Sequence, residues 1–546
     1  MFPKRVKLFN YLVIAFFIGS LIKIFNIQII NGHIYKRQSQ KQSYQLNKIQ
    51  PDRGLIFSSD GIPLVSNQTK YQISLYKPNM TASDNDFIGL FSSLVDETDN
   101  ALIQKFFSNQ NQLWISLNTY LDQNQISHLK NFDGIVITPL QIRFYPESGL
   151  AKDLTGFLSQ NRHGLLTGYD GLEGYYNQRL TGRTGFIWQT KDAVGQSVFS
   201  QLNWSKPKID GTSLHTSIDR YIQFVVEEEL SQGLVNYQAE SISAVVMESL
   251  TGAIIAMSTI EASPSAVAKN RVITDLYEPG SIFKPITVSI ALDSLSIDKD
   301  FICQKCNQDR FIDGHQITNW DFQNHPDSNL KDIIKNSDNI GMSYVMDEID
   351  FDIFLNYASE LGLNQKTGID LQGESKPKFD KNFWSALEIA TASFGQGFAI
   401  TNIQMLTAFN SIAANGQLFS PMVVSSFQEQ DKSKTNPVKS KQVFSKTTTD
   451  YIKTLLKNNV DNSNLSKLNT TKLDVCGKTG TAQVAKDGQY GQDTNASFIA
   501  FFPCTNPLYT ISVTVRYPKT SPWGDSTAAP IWFNIAKKIE LNSQML

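Results

Sequence analysis

The sequence predicts an α+β protein built on an antiparallel sheet and tethered by one membrane-spanning helix. Three observations lead there. A long, largely apolar run, weakened at its outer end by Lys23, Asn26 and Gln28, stands near the N-terminus; far downstream, a strand pair is followed by a helix-rich block, later strands and a closing helix; and 546 residues with 41% hydrophobic content supply a large core. Forty-nine basic against fifty-one acidic residues leave a formal charge of −2, without the basic excess of a nucleic-acid binder. Four cysteines are too few for a disulfide scaffold.

The first element is LFNYLVIAFFIGSLIKIFNIQII, Leu8 to Ile30. As a helix it rises about 35 Å, enough for a hydrocarbon core of about 30 Å. No A-x-A-like cleavage site follows, so it reads as an uncleaved anchor. Lys4, Arg5 and Lys7 precede it and keep that end cytoplasmic under the positive-inside rule. The expected organisation is a cytoplasmic tail over 1–7, the anchor over 8–30, a β-rich pedestal over 31–210 and a catalytic domain over 211–546.

In the pedestal, Arg53 to Val65 reads as a hairpin turned at Asp60-Gly61, and Tyr71 to Tyr76 alternates like another strand. It carries no nucleophile-base constellation. The pattern changes near 203–211. Asp219 to Leu230 looks helical, and Ala244–Glu248 with Gly252–Ser258 reads as a strand pair. A helix-rich middle runs from about Gly280 to Gly416, and Gln428 to Lys441, charged and broken by proline, reads as a surface loop. Strands are expected over Asp474–Ala485, Ala496–Phe502 and Tyr509–Tyr517, then a helix over Ala528–Leu541.

Chemistry is written in three short motifs: Ser281-Ile282-Phe283-Lys284, Ser337-Asp338-Asn339 and Lys478-Thr479-Gly480-Thr481. Each alone is weak; in this order they are specific. Pro285 belongs in a helix's first turn, where its missing N–H goes unused, and so starts the helix close to Ser281. Residues three apart share a helical face, which brings the Lys284 amine to the Ser281 hydroxyl. Serine needs a neighbour to take its proton, and an amine does so only when burial or a nearby cation keeps it neutral. Lys478 is the candidate cation. Ser337 suits a proton relay and Asn339 a hydrogen bond to a substrate amide. The third motif reads as an edge strand, with Lys478, Thr479 and Thr481 set to meet a carboxylate and Gly480 leaving room for a ligand backbone. Backbone N–H groups of Ser281 and near Thr481 suit an oxyanion hole.

With these motifs, the sequence resembles the class B penicillin-binding proteins, D,D-transpeptidases of peptidoglycan. The likeness extends to Tyr277-Glu278-Pro279-Gly280, to Ala390-Thr391-Ala392-Ser393-Phe394-Gly395-Gln396-Gly397 with Thr401 and Gln404, and to 496–503. It extends into the pedestal at Arg53-Gly54, Asp60-Gly61, 143–146 and Gly171-Leu172-Glu173, with Ser58-Ser59 where Asp-Arg is usual. The resemblance implies a five-stranded antiparallel sheet flanked by helices, with a helical subdomain. Ser281 is then the nucleophile on the D-Ala-D-Ala carbonyl of a stem peptide, Lys284 the general base and Ser337 the relay. Asn339, Thr479, Gly480 and Thr481 are substrate-binding, and Lys478 engages the terminal carboxylate. It also implies covalent inhibition by β-lactams, no cofactor or metal, and a septal role beside a polytopic glycan-polymerising membrane protein and other division proteins. A carboxypeptidase of the same fold, and a non-catalytic scaffold or β-lactam sensor, are the alternatives.

Cys303 and Cys306, with His315 and His325 downstream, read as loop residues, with a zinc site or a local disulfide as alternatives. Cys476 is expected to pack inward as a small apolar group. His33, His128, His163 and His215 have no partners evident in sequence.

Overall fold

A computed structural model describes residues 2–544, apart from 81–83, 92, 110, 131, 148, 161, 163–165, 192–196, 199–203, 264–268, 380–383, 430–431 and 487–488. His163 lies outside the described residues. The chain divides into two compact units, Met1–Arg53 with Thr181–Gly211, and Gly54–Leu180 with Thr212–Leu546.

The first unit opens with the helix Phe2–Phe25, extended by a π-helical stretch at Asn26–Ile30. Together Pro3–Ile30 are long and apolar enough to cross a membrane and are wholly unburied, which fits a single-pass anchor. The strand Gly185–Lys191 pairs antiparallel with Tyr44–Ile49 on one side and Trp204–Lys206 on the other.

The second unit holds the three short motifs around Ser281, Ser337 and Lys478. Its central sheet comprises β1 (Ser241–Glu248), β2 (Ile254–Glu261), β3 (Cys476–Lys486), β4 (Gln489–Phe502) and β5 (Tyr509–Arg516), ordered β2-β1-β5-β4-β3 and antiparallel throughout. Successive side chains leave opposite faces. Ala244 and Val246 on β1, with Phe498 and Ala500 on β4, therefore join the core beneath the helices Arg220–Tyr237 and Ala528–Ser543, around the fully buried Trp532. Val245, Met247, Ile499 and Phe501 enter the other core, with Ile286, Val288 and Phe409 from the helices Lys284–Asp293 and Asn402–Ala413. Near-complete apolar runs in these strands follow from burial on both faces.

A second, seven-stranded sheet places Ser213–Thr216 between Val424–Glu429 and Ile56–Phe57, and continues through Pro63–Tyr76 to Trp114–Leu121. It crosses the division expected at residue 210. Two local expectations are corrected. Tyr71–Tyr76 is not a separate strand but the end of one continuous strand from Pro63, which Ile135–Phe144 follows along ten residues. The stretch after Gln428 is not simply a loop. Lys432–Thr435 pairs with Val424–Glu429 as an exposed edge whose two lysines discourage further pairing.

Candidate active site

Ser281 lies on a short 3-10 turn, Gly280–Phe283, that feeds directly into the helix Lys284–Asp293. Gly280 has φ +60°, and a Cβ there would stand 3.2 Å from the Cβ of Ala482, so the turn rests close on β3. Pro285 occupies the first turn of the helix, as its lack of an N–H requires.

Lys284 is fully buried. Its Nζ donates to the Ser337 carbonyl at 2.5 Å, to Ser337 Oγ at 3.2 Å and to Asn339 Oδ1 at 2.8 Å. Ser337 Oγ in turn donates to Ser281 Oγ at 2.8 Å. The sequence expectation of a direct Lys284–Ser281 contact is thus replaced by a two-step chain through Ser337. Sharing a helical face brings two side chains near each other, but three acceptors presented by the second motif capture the amine. Ser337 has φ +54° at the C-terminal end of the helix Leu330–Asn336, an uncommon conformation for a residue with a Cβ, and it turns both its carbonyl and its hydroxyl to the lysine.

Lys478, on the edge strand β3, is also buried, and its Nζ donates to Ser337 Oγ at 3.2 Å and to the Thr479 carbonyl at 3.0 Å. Ser337 Oγ is thus the meeting point of both lysines and the serine. Burial pushes the Lys478 amine down to about 7, against the opposing pull of Asp525. Burial pushes Lys284 well below the usual lysine range, the Lys478 charge adds to this, and Asp338 opposes it.

Asn339 is more committed than expected. Its Oδ1 accepts from Lys284, and its Nδ2 donates to the Thr318 carbonyl at 3.0 Å. Gly480 is also closely packed. A Cβ there would stand 2.6 Å from Ser497 Oγ, 2.9 Å from Ile282 and 3.2 Å from the Pro279 carbonyl, so its missing side chain lets β4 and the Ser281 turn come close together. Thr481 Oγ1 accepts from the Gly524 N–H at 3.3 Å.

Ser281, Ser337, Asn339, Lys478, Thr479 and Thr481 line one cleft of about 400 Å³, so every side chain expected to contact substrate borders it. Lys284 lies behind this wall, under Ser337. Trp320 and Trp523 meet edge to face across 5.4 Å at the same cleft, beside Lys335 and Asp525. Sequence reasoning missed these four, because Trp320, Trp523 and Asp525 sit in irregular segments without a motif and Lys335 ends a helix without one; two tryptophans in polar stretches were the available signal.

Cys303 and Cys306 are disulfide-bonded, the alternative rather than the main expectation. Cys476 does face inward, but as the partner of Cys504 and not as a free apolar group. Antiparallel pairing of β3 with β4 returns the chain past Cys476 at Phe501, which brings Cys504 alongside.

With this geometry in view, the comparisons are specific. Residues 242–539 match the penicillin binding protein transpeptidase domain, and 48–216 the penicillin-binding protein dimerisation domain. The chain belongs to the penicillin-binding protein transpeptidase family. The stage V sporulation protein D of Bacillus subtilis is 28% identical over 91% of this chain and 79% of its own. A peptidoglycan D,D-transpeptidase FtsI homolog of Mesostigma viride is 27% identical over 99% and 97%. Penicillin binding protein 2X of Streptococcus thermophilus superposes with a TM-score of 0.75 at 21% identity, over 92% of this chain and 80% of that one. It shares the fold.

Proposed function

We propose that the protein is a membrane-anchored peptidoglycan D,D-transpeptidase that crosslinks stem peptides through an acyl-enzyme on Ser281 and is acylated there by β-lactams. The observation that carries this reading is the chain Lys284–Ser337–Ser281, with Lys478 joined to the same hydroxyl. With Lys284 neutral, hydroxyl rotation reverses the chain's direction. Ser281 then passes its proton to Ser337, which passes its own to Lys284, as Ser281 Oγ bonds to the penultimate D-alanine carbonyl carbon. Lys284 returns the proton through Ser337 to the departing terminal D-alanine nitrogen as the peptide C–N bond breaks. An amine of a second stem peptide next attacks the ester carbon: its C–N bond forms, the C–O bond to Ser281 Oγ breaks, and the proton the amine gives up passes by Lys284 and Ser337 to Ser281 Oγ.

Asn339 holds Lys284 in register and, with its remaining capacity, a substrate amide. Lys478, Thr479 and Thr481 receive the terminal carboxylate, and the N–H groups of Ser281 and Thr481 receive the developing oxyanion. Gly480 admits the nucleophile turn.

The further reading is a pedestal over 31–210 and a catalytic domain over 211–546, with residues 1–7 cytoplasmic and the catalytic domain outside the membrane. The basic flank of Lys4, Arg5 and Lys7 supports that orientation. The FtsI name of the Mesostigma viride relative supports a septal role; a polytopic glycan-polymerising membrane protein and other division proteins as partners follow from the family resemblance of the sequence. A fluorescent penicillin should label the wild type covalently and leave Ser281→Ala unlabelled. Equal labelling of both would remove Ser281 from the nucleophile role.

A further inference from the structure

The donor peptide leaves one end of the cleft unused. With its scissile carbonyl at the N–H groups of Ser281 and Thr481 and its terminal carboxylate at Lys478 and Thr479, it runs along β3 toward Lys478 and stops. The cleft continues. Asn459, buried in the last turn of the helix Lys446–Asp461, donates from Nδ2 to the Gly477 carbonyl at 2.8 Å. At the other end of the same motif the Gly524 N–H donates to Thr481. At about 3.3 Å per residue these anchor points stand about 13 Å apart along the strand. Asn459 and Gly524 both line the cleft that holds Ser281.

The Gly477 end is assembled from separate parts of the chain. The helix Leu330–Asn336 finishes with Lys335 and Asn336, just before Ser337. The helix Lys446–Asp461 packs against it and supplies Asn459, and the turn that follows supplies Ser463, Asn464 and the buried Leu465. Much of the polar capacity here is unspent. Among the described residues Lys335 has no hydrogen bond or ion pair, the Asn336 side chain has no hydrogen bond, and Asn459 Oδ1 accepts none. At the chemistry itself, by contrast, Lys284, Asn339 and Lys478 are all held by protein partners. Convergent polar groups on a cleft wall fix the orientation of a bound ligand.

What enters there follows from the second half of the reaction. Aminolysis of the ester is the reverse of its formation from an amide, so the incoming amine takes the place that the D-alanine nitrogen left. Its C–N bond forms, the C–O bond to Ser281 Oγ breaks, and its proton passes to Ser281 Oγ. The vacated D-alanine site lies at Lys478 and Thr479, and the rest of the incoming molecule extends beyond it toward Gly477. We propose that Lys335, Asn336, Asn459 and the 463–465 turn form the subsite for the acceptor peptide, an amine-bearing strand that carries a carboxylate. Asn336 and Asn459 meet its amides, Lys335 its carboxylate and Leu465 its apolar carbons. This rests on the acyl-enzyme reading above and deepens it, because water resolving the ester has no use for such a surface.

The test is how the acyl-enzyme of the full-length chain in detergent divides between amine and water. A depsipeptide donor ending in D-alanyl-D-lactate forms the ester, and the aminolysed and hydrolysed products are separated and counted. The acceptors are L-alanyl-γ-D-glutamyl tripeptides ending in meso-diaminopimelate or L-lysine, and free D-alanine, which needs only the site at Lys478 and Thr479. The product ratio is set after the ester has formed, so a slower acylation does not move it. Lys335→Met should lower the ratio for the productive tripeptide about threefold. Asn464→Trp, which fills the turn's side of the cleft, should lower it about tenfold. With D-alanine the ratio should hold in both variants. Tripeptide ratios equal to the wild type in both variants would overturn the subsite, and so would an equal fall for D-alanine. Hydrolysed product alone from the wild type, with every acceptor, would strike the crosslinking reading together with the subsite.

Discussion

Arg143 and Lys284 are both cations withdrawn from water, and the molecule treats them in opposite ways. Arg143 Nε donates to Glu173 Oε1 at 2.7 Å, and the two side chains are 4% and 0% exposed. Its remaining nitrogens donate to Asn67 Oδ1 and the Gly54 carbonyl, each at 2.7 Å. A guanidinium stays charged wherever it is placed, and here the carboxylate and two neutral oxygens meet it directly. Lys284 is equally buried, yet its three acceptors are neutral oxygens and its nearest cation is another lysine. A paired buried charge fastens the pedestal strands to the segment around Gly171. An amine left without a direct carboxylate partner is prevented from holding its proton, which is the condition for a base.

The largest break in this contrast comes from Lys284→Met. The variant keeps the volume and removes the amine, so acylation by penicillin should fall about 10²–10⁴-fold. Its melting temperature should hold or rise, because an unfavourably buried amine is gone. A melting temperature lowered as far as the acylation rate would mean that Lys284 is structural, like Arg143. The converse is Glu173→Ala, which strands Arg143 and should destabilise by about 3–5 kcal/mol in urea unfolding. The acylation rate of the folded fraction should change little; a loss under 1 kcal/mol would show that the pair is not the fastening supposed here.

Gly480→Ala comes next. Its added methyl meets Ser497 Oγ, Ile282 and the Pro279 carbonyl and should press the Ser281 turn away from β3, costing about 1–3 kcal/mol along with acylation rate. Wild-type stability with unchanged acylation would count against close packing as the reason for this glycine. Smallest per unit of the variable changed is the pH slope of stability. With Lys478 held to about 7 in the folded chain and near its ordinary value when unfolded, the unfolded chain binds more protons between the two. Its contribution therefore makes stability rise with pH across that window, by at most about 1.4 kcal/mol per unit. Lys478→Met should flatten that rise, and an identical slope would exclude it.

Much of this protein was legible without coordinates because its signals are local. Leu8–Ile30 declares a membrane span through length and apolarity, and β1, β4 and β5 declare themselves as buried strands. The residues proposed as catalytic declare themselves by motif order. What failed was whatever depended on a neighbour distant in sequence. A break between Pro63 and Tyr76 seemed plausible until Ile135–Phe144 ran alongside both halves. Trp320 and Trp523 belong to loops that carry no periodicity at all.

The sequence by itself picked out Ser281, Lys284 and Lys478 and the helix and strand that bear the two lysines, since proline placement and residue alternation act over a few residues. Only the tertiary structure decided that Lys284 reaches Ser281 through Ser337, that Cys476 meets Cys504, and that Gly480 makes way for the nucleophile turn. Each of these depends on which surfaces touch after packing. Hydrogen-bond partners and steric clearances operate over distances of a few ångströms between segments that lie tens to hundreds of residues apart in the chain.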